Sequence, residues 1–139
     1  MKGGIFMTLG IRFLKLAALY FLVGVGMGLT MEIIQDHRLS GAHAHINLVG
    51  WTSMAIFGVI YVLFPKAGET VLAKLHFWLY NISLPLFMLG LCFVLLGNSS
   101  LMFLLMIFPN VLVLSVLLFV INIFANVKRE NISQLFNKG

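Results

Sequence analysis

The sequence predicts an all-α integral membrane protein: one domain, a four-helix bundle, with N- and C-termini cytoplasmic. Three observations predict it. Of the 139 residues, 61% are hydrophobic and only 9% are charged, against about a quarter charged in an ordinary soluble domain. The apolar residues fall into four long stretches, at about 11–34, 42–64, 75–96 and 101–126. A helix of such length crosses roughly 30 Å of hydrocarbon. The stretches are also continuous rather than alternating, which excludes barrel strands and leaves helices, whose backbone is satisfied internally.

The first stretch follows a short segment with Lys2, Gly3 and Gly4. Its apolar core is longer than that of a signal peptide and no small-x-small site follows, so a retained transmembrane helix is expected. Gly24, Gly26 and Gly28 near its end let either another helix or a flat ligand come close. A polar segment follows, with Glu32, Gln35, Asp36, His37, Arg38 and Ser40. Ser40 or Gly41 is expected to cap the second helix, and Pro65 to stop it. A loop, residues 66–70, and a short amphipathic approach, 71–74, lead into the third stretch. The turn Gly97-Asn98-Ser99-Ser100 is short enough to make the third and fourth helices antiparallel neighbours. Pro109 is expected to kink the fourth, with Asn110 placed to bond a freed carbonyl or a neighbouring helix. The tail is polar and basic, and its sequon Asn131-Ile132-Ser133 is set aside because the tail is expected in the cytoplasm.

Orientation follows from Lys and Arg. Lys2, Arg12, Lys15, Lys66, Lys74, Lys128, Arg129 and Lys138 fall on one side and Arg38 alone on the other, eight of nine. The first side is therefore expected to be cytoplasmic, in a bacterial cytoplasmic membrane. The net charge of +5 thus lies at membrane edges rather than on a basic face with interleaved aromatics. Lipid, not nucleic acid, is the expected partner. A nucleophile–base pair, a phosphate-binding loop, a carboxylate pair and a zinc motif are all missing from the sequence, and whether the protein is an enzyme stays open.

Chemistry concentrates in Gly41-Ala42-His43-Ala44-His45-Ile46-Asn47-Leu48-Val49-Gly50-Trp51. Imidazoles at the rim of a membrane helix are costly unless they bind something, pair or face water. Two residues apart on a helix, His43 and His45 diverge by about 200°, so they cannot clamp one metal together from one side. The His43 face continues through Asn47, Gly50, Met54, Gly58 and Tyr61, small and polar enough for close contact. The His45 face continues through Val49, Thr52, Ile56 and Val59, an apolar wall on which a porphyrin could lie.

His43-Ala44-His45-Ile46-Asn47-Leu48, with Gly50-Trp51, resembles the second helix of subunit I in haem-copper oxidases, the family of cytochrome c oxidase and nitric oxide reductase. Phe77-Trp78-Leu79-Tyr80-Asn81 is similar to its third helix. The resemblance spans about residues 11–125 and only the first four of twelve helices. It implies a haem ligand at His45, matched through His45-Ile46-Asn47. The family's remaining ligands lie on later helices that have no counterpart here, so neither its copper centre nor oxygen-reductase activity is carried over. Subunit I is built of three four-helix arcs, and its tenth helix carries a His-x-His whose rings serve haems on either side. By that resemblance the chain is one such arc. The expected assembly is a homotrimer with haem b between neighbouring second helices, ligated by His43 of one protomer and His45 of the next. Arg38 is the expected propionate partner, and Asn47 belongs to the cofactor-binding motif.

The leading function is then a membrane b-type cytochrome. It transfers electrons if both axial positions are histidine, with quinol or another respiratory complex as partner, and binds O2 or NO if one is open. A non-redox accessory or assembly subunit of a respiratory oxidase, with structural histidines, is the alternative. A metal or proton conduit is a third, disfavoured because the later spans show no ionisable residue at mid-membrane. Secondary ligand candidates are His37, Met27 and Met31. Cys92 is expected to be core, and His76 an interfacial anchor beside Trp78.

Overall fold

The computed structural model describes residues 9–128. Lys2, Arg129, Lys138 and the sequon at 131–133 lie outside the described residues. Four long helices are present: α1 (Leu9–Ile34), α2 (Ser40–Leu63), α4 (Val71–Leu95) and α5 (Met102–Asn126). A single turn, α3 (Pro65–Gly68), separates the second from the third. The long helices have 24 to 26 residues, about 36–39 Å at about 1.5 Å per residue, enough to cross a bilayer. The protein is a four-helix membrane bundle.

The helix ends follow local chemistry. Gln35, at φ 53°, closes α1 in the left-handed region. The Asp36 N–H then reaches back to the Met31 carbonyl at 3.2 Å, the reverse bond that satisfies a helix C-terminus. Gly97, at φ 87°, does the same for α4, with the Asn98 N–H on Phe93 O at 2.9 Å. Ser40 does not cap α2. It is already helical, and Leu39 precedes it without a side-chain cap. Pro65 ends α2 and opens α3. Helix α4 starts at Val71, earlier than expected, because Thr70 caps it: its Oγ1 accepts the Ala73 N–H at 3.1 Å. Helix α5 runs on through Pro109. The Asn110 amide bonds Met106 O at 2.7 Å, its own helix's carbonyl and not one on a neighbour.

The bundle is two antiparallel hairpins, α1 with α2 and α4 with α5. Rings from all four helices join them: Phe13, Phe57, Tyr61, His76, Phe77, Tyr80 and Phe119. This core lies toward the end that carries Arg12, Lys15, Lys66, Lys74 and Lys128. The outside is apolar, with Phe124 87%, Ile33 72% and Met106 70% exposed. In water such a surface would aggregate; against lipid tails it is the solvated face.

Candidate functional site

At the opposite end, α1 and α2 approach closely because α1 offers glycine. A Cβ on Gly24 would stand 2.5 Å from Asn47 Oδ1, and one on Gly28 3.0 Å from His43 Cε1. Both faces expected of α2 are found. Gly50, Met54, Gly58 and Tyr61 are buried and His43 and Asn47 half-buried, while His45, Thr52, Ile56 and Val59 are exposed and Val49 is half-buried. Of the three glycines, Gly24 and Gly28 serve packing. Gly26 has nothing within 4 Å of its would-be Cβ and lines a groove of about 540 Å³ with Met27, Thr30, Met31 and Arg38.

The two imidazoles are held alike. His43 Nδ1 lies 2.9 Å from Gly24 O, and His45 Nδ1 lies 2.8 Å from Gly41 O. A carbonyl can only accept, so each Nδ1 carries a ring proton, and in the neutral imidazole Nε2 keeps the lone pair. Asn47 Nδ2 is 3.3 Å from His43 Nδ1, a contact between two donors; its hydrogen bond goes to His43 O at 2.9 Å. The His45 ring rests edge-on against Phe87 at 5.5 Å. The structure thus brings His43 and Asn47 together with α1 and sends His45 outward. Among the described residues no group of three or more His, Cys, Asp or Glu is close enough to hold a metal ion.

Below the histidines, Ile46–Ser53 is wound as a π-helix, a local widening that frequently marks functional sites. Two carbonyls in it take extra donors: Leu48 O from Ser53 Oγ and Val49 O from the Tyr80 hydroxyl, both at 2.8 Å. Tyr80 thereby ties α4 to α2 at Val49, one turn beyond His45. No sequence pattern marked this widening.

Arg38 lies at the same end, exposed, in the polar loop. Its Nε and Nη2 donate to Asp36 at 3.0 and 2.6 Å. These bonds hold the Asp36 carboxyl down to about 2, from an ordinary 3.8. A depressed carboxylate contributes stability above its ordinary range and loses it as pH falls through the folded value. An NMR titration is expected to find Asp36 ionised well below the usual carboxylate range. Arg38→Ala should return its midpoint upward. His37 faces Glu32, Nε2 to Oε2 3.5 Å, in the exposed loop. Met31 is buried, Met27 half-buried and Cys92 half-buried.

His76 departs from expectation. It is not an interfacial anchor; it is 0% exposed, while its neighbour Trp78 is 60% exposed. It stands six residues beyond the Thr70 cap, about 9 Å along the helix. Its Nδ1 bonds Ser115 O at 2.8 Å. The third span therefore holds an imidazole buried inside the bundle, near the start of α4. The sequence signal was the i, i+4 stripe His76, Tyr80 facing Phe57, Tyr61, which only a tertiary partner makes interior.

No protein-family model, curated protein or solved structure matches the chain.

Proposed function

We propose that the protein is a membrane b-type haem protein, with haem b held between protomers of a homotrimer by His43 of one and His45 of the next. One observation carries this. Both rings donate Nδ1–H to a backbone carbonyl, Gly24 O and Gly41 O, which in the neutral imidazole leaves Nε2 as the lone-pair nitrogen. That tautomer, fixed by a second hydrogen bond, is what an axial imidazole requires. The rings leave opposite faces of α2, which favours two different partners. His45 is flanked by exposed Leu48, Ile56 and Val59, at 63%, 52% and 48%, a wall suited to a porphyrin face. Arg38 is the only Lys or Arg at that end among the described residues and serves as propionate partner.

Bound haem would supply a one-electron carrier, and a gas-binding iron if one axial position stayed open. The chain's own residues orient the rings, exclude water with the α2 wall and set the local charge through Arg38 and Asp36. Quinol or another respiratory complex is the proposed electron partner. The bacterial cytoplasmic membrane, with both termini cytoplasmic, is the proposed location, supported by the cluster of positive charge at one end.

The test is a visible spectrum, oxidised and dithionite-reduced, of protein purified in mild detergent after expression with ample haem, with its mass in the same detergent. A sharp b-type spectrum on a trimer is expected. A colourless protein would leave the accessory-subunit function, which the cross-helix bond of His43 to Gly24 favours. A haem-loaded monomer would remove the shared site.

A further inference from the structure

His76 is enclosed by rings: centroids stand 5.2 Å away for Phe13, 4.7 Å for Phe57, 5.5 Å for Tyr80 and 5.3 Å for Phe119. Its Nδ1 faces the Ser115 carbonyl, so Nδ1 carries the proton and Nε2 the lone pair. That Nε2 is buried and has no protein hydrogen-bond partner. An unmet buried acceptor costs about 1–3 kcal/mol, and native folds rarely keep one.

A complementary donor stands in the same cluster. Tyr61 is 1% exposed, its ring 6.1 Å from that of His76. Its oxygen accepts from Asn122 Nδ2 at 3.5 Å, while its own O–H proton goes to no described group. The other hydroxyls nearby are committed, Tyr80 to Val49 O, Ser83 to Tyr80 O and Ser115 to Leu112 O. One acceptor and one donor are therefore unused, both buried in the ring core toward the Lys66 end.

We propose that a single water molecule is bound between Tyr61 and His76, accepting from the phenol and donating to Nε2. A buried water needs at least two polar partners, and this pair offers one of each sense. The phenol in turn touches Asn122, which bonds Ala67 O at 2.9 Å and accepts from Thr70 Oγ1 at 2.9 Å and Asn126 Nδ2 at 2.8 Å. A hydrogen-bonded line thus enters from the Thr70 end and stops at His76, because the Ser115 carbonyl has no proton to pass on. It is a hydrated spur into the bundle, not a path across it. The site does not depend on haem.

Ring-nitrogen NMR of ¹⁵N-histidine-labelled protein in micelles tests this, with His76 assigned by the signal lost in His76→Phe. The expected result is an Nε2 resonance of a hydrogen-bonded acceptor and magnetisation transfer from water to the His76 ring protons. In Tyr61→Phe, which keeps the ring, Nε2 should move downfield and the water contact should be lost. A wild-type Nε2 with the shift of a bare nitrogen and no water contact overturns the proposal. An unchanged Nε2 in Tyr61→Phe overturns the bridge.

Discussion

Alanine at position 45 is expected to cut haem content at least about tenfold. Even the outer-shell partners of metal ligands carry factors of about 10–100 in affinity, and His45 is proposed as a ligand itself. Little else should change. His45 is exposed, and its hydrogen bond runs within its own helix to Gly41, so the apoprotein should keep its fold. Free imidazole should enter the vacated position and restore part of the spectrum. His43→Ala is expected to lose haem as well, but also about 1 kcal/mol of stability, because His43 bonds across to Gly24 of α1. The two variants together test where the ligands come from. With haem shared between protomers of a closed ring, co-expressing them in equal amounts should regenerate about a quarter of the sites, where an intact His43 meets an intact His45 across an interface. If both ligands came from one chain, the mixture would bind no haem. Full haem in His45→Ala alone would remove His45 from the site.

Most of this architecture was legible in one dimension. Span positions depend on hydropathy and length, and those terms dominate in lipid. The opposite directions of His43 and His45 were also legible, since helical pitch alone decides them. What failed was depth and partnership. His76 precedes Trp78 near the start of a span, and that context suggests a headgroup anchor. Its burial comes from Phe13, Phe57 and Phe119, on three other helices. Ser40 read as a cap by residue type, but Leu39 occupies the cap position. The π-helix at Ile46–Ser53 left no trace in residue type, and one of the two donors to its carbonyls, the Tyr80 hydroxyl, comes from another helix. The proposed haem site is carried by the Nδ1–carbonyl bonds of His43 and His45, and the visible spectrum decides it.

Gly10→Ala should destabilise the bundle by about 1–3 kcal/mol, the usual cost of overpacking. A Cβ there would sit 2.6 Å from Gly58 O and 2.7 Å from the Val62 backbone nitrogen. Both are backbone atoms of α2, so no side chain can rotate away and α1 must move. The reciprocal change, Gly58→Ala, meets Leu14 Cγ at 2.7 Å and Gly10 O at 2.9 Å. It should cost a similar amount, and the double variant less than the sum, since one separation of the helices relieves both clashes. Close backbone approach at small residues is the main source of helix association where water offers no hydrophobic push between helices. Gly26→Ala is the matched control: its Cβ meets nothing within 4 Å, so its effect should stay within about 0.5 kcal/mol. Unfolding titrations in mixed detergent micelles read all four. Because this contact lies at the Lys66 end, far from His43, a loosened Gly10–Gly58 seam should lower stability while leaving the ring tautomers at the other end unchanged. A Gly10→Ala protein as stable as the wild type would mean that α1 and α2 do not touch there.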